Sequence, residues 1–138
     1  MEVANVELRG RELTAAGTQF GAAYELRYRL DRDVLQLELV GKRSLELPLG
    51  DADFFDLGWS PLFNSLPVLR DRLLESGPAR DYVMRWVEVP SLEVSRSEQR
   101  YEPLGNRLVR FRAGSFTADI EFDEQEFVMD YPGIARRA

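Results

Sequence analysis

The chain has no histidine and no cysteine, and only one of its 18 basic residues, Lys42, is a lysine. Without histidine there is no Ser-His-Asp or Cys-His catalysis and no histidine-based metal site. Without cysteine there are no disulfides. A chain of 138 residues does not need them, because folding at that length buries roughly two-thirds of the unfolded surface. Cysteine-free composition also fits a cytoplasmic protein. No glycine-rich phosphate loop is present, and no cofactor is expected. No apolar run approaches the roughly 20 residues of a membrane helix. The first ten residues lack a basic segment followed by an apolar stretch, so no signal peptide is expected. Positive charge is also short: 18 basic against 24 acidic residues leaves a net charge of −6. Nucleic-acid binding rests on clustered positive charge and is not expected. The acidic balance serves solubility.

Alternation of apolar and polar residues is abundant. Tyr24, Leu26, Tyr28 and Leu30 face one way, with Glu25, Arg27 and Arg29 opposite. Leu35, Leu37 and Leu39 repeat the pattern, as do Leu45, Leu47 and Leu49. A period of two marks half-buried strands, and the short connections predict antiparallel neighbours. A first strand is expected over 3–8, and a loose, glycine-bearing stretch over 13–21. Strand character returns over 82–89, where both faces are largely apolar. Leu92 and Val94 begin another strand, and residues 103–106 read as a turn. Residues 108–112 follow, then Phe116, Ala118, Ile120 and Phe122 on one face, and a last strand before Pro132 and Gly133. About nine or ten strands result, in one domain over 1–138.

One amphipathic segment interrupts them. Ser65 reads as an N-cap with Pro67 in the first turn, and Leu66, Leu69, Leu73 and Leu74 fall at helical spacing. Gly77 and Pro78 would end a helix over 65–76, roughly 18 Å long. So short a helix is held by packing on a sheet. The fold class is therefore mainly β (α+β), with one helix covering or wrapped by a sheet.

Two features suggest sites and have plain structural readings as well. Asp51, Asp53 and Asp56 precede the helix. They lack the full ligand series of a calcium loop and fit turn roles. Arg27, Arg29, Arg107, Arg110 and Arg112 would form a basic strip if their strands were neighbours, or a solvated face paired to acids. With 24 acids present, an acid–base pair is conceivable, but no spacing nominates one, so no catalytic residues are assigned.

Two blocks carry a family resemblance. Asp56-Leu-Gly-Trp-Ser-Pro-Leu-Phe-Asn-Ser-Leu-Pro-Val68 resembles the segment before the helix in a bacterial glycolipid-binding family. The series Trp86-Val-Glu-Val-Pro-Ser-Leu92, Gln99-Arg-Tyr101, Phe116-Thr-Ala-Asp-Ile120, Asp123 and Val128-Met-Asp-Tyr-Pro-Gly133 resembles its C-terminal half. The matching blocks span about residues 53–134. The resemblance implies a spiral β-roll, a long antiparallel sheet wrapped around one central helix, and homodimers. It also implies a distant likeness to periplasmic lipoprotein carriers, and it supplies no catalytic residues.

The expected function is non-catalytic binding of a lipid or glycolipid between sheet and helix. Candidate site residues are Trp59, Phe63, Asn64, Met84, Arg85, Trp86, Gln99 and Tyr101, with Leu66, Leu69 and Leu73 as further lining. Each of these also reads as core or loop structure. The alternative is a structural or interaction protein forming a homodimer through exposed strand edges or a Trp-bearing surface, with a packed core and no ligand.

Overall fold

The structure, a computed structural model, describes residues 1–10, 12–75, 77–131 and 135–136, with side chains through residue 127. The expected helix end at Ser76 and the turn at Pro132 and Gly133 lie outside the described residues.

The first five strands are β1 (Glu2–Arg9), β2 (Glu12–Gly21), β3 (Tyr24–Asp31), β4 (Val34–Leu39) and β5 (Arg43–Pro48). They form a sequential antiparallel meander. The predicted inward faces meet in register: Leu26 opposite Leu39, Tyr28 opposite Leu37, Leu30 opposite Leu35. All six are buried. The stretch expected to be loose is instead the ten-residue strand β2. Gly17 there is a close-approach position. A Cβ on it would stand 2.5 Å from the Tyr28 hydroxyl and 2.7 Å from Ala4 Cβ.

The second sheet holds β6 (Phe54–Leu57), β7 (Arg80–Val87), β8 (Val94–Gly105), β9 (Leu108–Ala113), β10 (Phe116–Phe122), β11 (Val128–Tyr131) and β12 (Ala135–Arg136). Its order is β12-β11-β10-β9-β8-β7-β6. Thus one long sheet was expected and two separate sheets are found, and the pairings described neither close nor curl them. Nor is every pair antiparallel. β6 runs parallel to β7, with Phe54 opposite Met84 and Leu57 opposite Val87. A parallel pair requires a crossover of a dozen or more residues, and residues 58–79 supply it. All four β6 residues are buried, yet so short an apolar run shows no period of two. The turn expected at 103–106 begins later. Pro103 sits in β8 beside a register shift, and Gly105, Asn106 and Arg107 turn the chain with positive φ.

The crossover contains helix α1 (Pro61–Asp71) and a 3₁₀ turn over Leu73–Glu75. The N-cap and first-turn proline expected at Ser65 and Pro67 are found five and six residues earlier. Ser60 is the N-cap and Pro61 the first helical residue, while Pro67 lies inside the helix. Arg72 takes the left-handed cap conformation (φ 53°), its N–H bonding the Val68 carbonyl. Asp71 anchors that end by accepting a hydrogen bond from the Tyr82 hydroxyl at 2.7 Å. Residues 63–68 are all buried, as befits a helix enclosed rather than lying on a surface. Phe63 meets Tyr28 edge to face at 5.4 Å, joining the helix to the first sheet. Along the second sheet an edge-to-face ladder runs from Phe54 through Tyr82, Tyr101 and Phe111 to Phe116. One hydrophobic cluster spans both sheets and the helix.

Candidate functional site

Where the chain leaves β6 and enters α1, the second sheet is not covered by the helix. An open cavity of about 590 Å³ lies there. Its floor is polar and linked. The buried Gln99 side chain donates from Nε2 to Asp56 Oδ2 at 2.6 Å and to Ser97 Oγ at 3.3 Å. Gln99 Oε1 accepts from the Tyr101 hydroxyl at 3.4 Å. That hydroxyl accepts from Asn64 Nδ2 at 3.1 Å. Three elements therefore meet in one network: Asp56 on β6, Asn64 on α1, and Ser97, Gln99 and Tyr101 on alternate positions of β8. The walls are apolar, made by Trp59, Trp86, Val89, Phe111 and Phe116. Trp59 is 66% exposed and holds a positive φ of 60°, an uncommon state for a bulky residue.

Asp56 is the site's electrostatic peculiarity. It is 8% exposed. Burial pushes its carboxyl from 3.8 up to about 6, against the Gln99 hydrogen bond, which favours the ionised form. Among the described residues no basic side chain pairs with it.

The rim loop is fixed by the first sheet. Gln19 donates to the Gly58 carbonyl at 2.9 Å and accepts from Tyr24 at 2.8 Å. Glu2 accepts from Tyr28 at 2.8 Å and also from the Ser60 hydroxyl. Burial raises the Glu2 carboxyl above its ordinary range, countered by hydrogen bonds from Ser60, Tyr28 and the Leu62 backbone. Burial also raises the Tyr28 phenol, followed by the charge of Glu2 and the bond to it. Gly58 packs on β7: a Cβ on it would lie 3.3 Å from the Val87 carbonyl oxygen.

Of the residues singled out from sequence, Trp59, Asn64, Trp86 and Gln99 come together around the cavity. Tyr101 stands behind the floor, hydrogen-bonded to Asn64 and Gln99 and in edge-to-face contact with Phe111 of the wall. Phe63 and Met84 are core residues, each 1% exposed. Arg85 points away and donates to the Pro48 carbonyl at 2.7 Å. Leu66 and Leu73 are buried in the core, and Leu69 is half-buried; none of the three lines the cavity. Ser97, Phe111 and Phe116 were missed as site residues, and Asp56 was read only with Asp51 and Asp53 as a calcium-loop or turn residue. Asp56 had a signal: it is the only charge in Phe54-Phe-Asp-Leu-Gly-Trp59. Phe116 was placed in the core with Ala118, Ile120 and Phe122, but is 43% exposed at the cavity wall.

The two other site readings separate. Asp53 accepts the Val83 backbone N–H at 2.7 Å, away from Asp56 in the floor. Among the described residues no three acidic, histidine or cysteine side chains cluster as a metal site. Arg27 and Arg29 lie in the first sheet and Arg110 and Arg112 in the second, so the basic strip does not form. Arg27 pairs with Glu25 and Arg110 with Asp119. Among the described residues no helix is long and apolar enough to cross a membrane.

No curated protein matches the chain. A solved structure similar to it is that of a DUF1089 family protein from Pseudomonas aeruginosa, 25% identical, with a TM-score of 0.75. The alignment covers 99% of this chain and 92% of that one. The family described as "Putative glycolipid-binding" matches residues 8–137. The chain therefore belongs to the family described as "Putative glycolipid-binding".

Proposed function

We propose that the chain binds an amphipathic ligand, a lipid or glycolipid, in the cavity between α1 and the second sheet, without reacting with it. The observation that carries this is an aromatic-walled cavity whose buried polar floor is already hydrogen-bonded into one network. A volume of about 590 Å³ is in the range of small-molecule sites. The aromatic walls suit an alkyl segment or the apolar face of a sugar ring. The floor amides and carboxyl suit hydroxyl or amine groups. The family's description points the same way. The proposal includes a spiral winding of the two sheets about α1, whose backbone passes close to β1, β6 and β11.

A homodimer without ligand is the second reading, favoured by one observation. β1 pairs with β2 alone among the described residues, and its Val3 is 59% exposed.

Mass spectrometry of an organic extract of purified protein, with thermal melts against a lipid panel, tests the binding reading. Co-purified amphiphile, or a melting temperature that rises with ligand concentration, is expected. A lipid-free preparation that no panel member stabilises sinks it.

A further inference from the structure

We infer that this cavity, taken as the ligand site proposed above, selects an amphiphile whose polar head carries a protonated amine, seated on the Asp56 carboxylate. Asp56 lines the cavity, is almost wholly buried, and has no cationic partner among the described residues. A buried charge left in that state is costly and is ordinarily paired.

The floor is polarised toward that carboxylate. Asn64 donates to Tyr101, Tyr101 to Gln99, and Gln99 to Asp56. Every donor in the relay points toward Asp56, so the relay supports negative charge there. It supplies no positive charge of its own. A neutral hydroxyl could replace a water at Asp56, but it would leave the charge uncompensated. An ammonium group would compensate it. The walls favour the same choice. Trp59, Trp86 and Phe116 present aromatic rings around the cavity, and aromatic faces attract ammonium groups. An anionic head would meet both the carboxylate and these rings.

The other charged lining residues, Glu88 and Arg96, are exposed, and Arg96 is engaged with Glu98 at 3.4 Å. The groups that face Asp56 from β8 and α1, Gln99, Ser97 and Asn64, do not titrate, nor does Trp86 opposite it on β7. Asp56 is therefore the group whose ionisation governs amine binding. As pH falls through about 6 it gains a proton and loses its hold on a cation, while binding of a neutral amphiphile is unaffected.

Tryptophan fluorescence of the full chain, titrated below micelle formation, is the test. Four probes share an octyl tail: octyl glucoside, octyl 2-amino-2-deoxyglucoside, octylammonium and octyl sulfate. Near neutral pH the two amines should bind at least about tenfold tighter than octyl glucoside, with octyl sulfate weakest. Near pH 5 that preference should shrink. Asp56→Asn should abolish it while leaving octyl glucoside binding in place. Arg85→Ala, outside the cavity, should change nothing. Amino-sugar binding tighter than octylammonium identifies a glycolipid head. Equal binding identifies a simple amine head, and both results support the inference. Octyl glucoside binding as tightly as the amines, or a preference that survives Asp56→Asn, overturns the inference and leaves the binding site intact. Failure of all four probes overturns the site itself.

Discussion

Asp56→Asn should make the protein more stable in neutral and alkaline solution, although it removes a buried hydrogen-bonding acid. The change is nearly isosteric. An asparagine oxygen can still accept from Gln99, whose Nε2 lies 2.6 Å from Asp56 Oδ2. What disappears is the cost of burying a charge. Holding this carboxyl at about 6 rather than 3.8 disfavours its ionised form by ~3 kcal/mol. The sign follows from proton counting. Between 3.8 and about 6 the folded chain binds more protons at this site than the unfolded chain. Stability therefore falls as pH rises through that window, and the penalty is complete above it.

Urea melts of both proteins near pH 8 and near pH 4 would measure this. Comparing variant with wild type at each pH cancels the other 23 acids, which titrate in both. The variant should be more stable near pH 8 by about 1–3 kcal/mol, allowing for some loss in the polar network. Near pH 4 the gap should almost vanish. A gap that does not change with pH, or a variant less stable near pH 8 than near pH 4 relative to wild type, refutes the claim that Asp56 is a buried, uncompensated charge.

Three other substitutions probe the frame around the site. Leu73→Ala should cost roughly 2–5 kcal/mol in denaturant melts, because Leu73 is 3% exposed where the 3₁₀ turn meets the core; a cost under about 0.5 kcal/mol would mean it is no anchor. Gly17→Ala should cost about 1–3 kcal/mol, since the new methyl meets a Tyr28 ring pinned by Glu2 and Phe63; an unchanged melt would show that the ring yields freely. Trp59→Gly should keep or raise stability by about 1 kcal/mol, because the residue is 66% exposed and left-handed, yet weaken octyl-probe binding; unchanged affinity would remove Trp59 from the site.

The strands of the first sheet were legible because their apolar residues alternate strictly and their connections are only two or three residues long. Leu26, Leu35 and Leu37 landed in the core for that reason. β6 was not legible. Phe-Phe-Asp-Leu has no period, and its pairing with β7 is parallel and closed across a helix. The helix was legible in kind and misplaced in register. Two Ser/Pro starts, Ser60-Pro61 and Ser65-Leu-Pro67, compete in the sequence. Tertiary burial of residues 63–68 decides for the earlier one, even with Pro67 inside the helix. The site was legible by half for a related reason. Trp59, Asn64, Trp86 and Gln99 stood out by residue type. Asp56 and Phe116 belong to it through neighbours on other strands, which no local pattern records.

The cavity and the core meet in the same few residues, which explains why the polar floor sits where it does. Tyr101 is fully buried and carries the middle of the aromatic ladder, in edge-to-face contact with both Tyr82 and Phe111. Its ring contributes to packing, and its hydroxyl must then find a partner, because an unmet buried hydroxyl costs more than a made bond returns. Asn64 and Gln99 provide those partners. Gln99 in turn must place its amide hydrogens, and it does so on Asp56 and Ser97. Each polar group thus satisfies the one behind it, moving outward from the core until Asp56 is reached at the cavity surface. There the series ends on a charge with no basic partner among the described residues. A packed structural core would terminate such a series on a neutral group or an arginine. Ending it on an acid, inside aromatic walls, leaves the last interaction to be made by whatever enters the cavity.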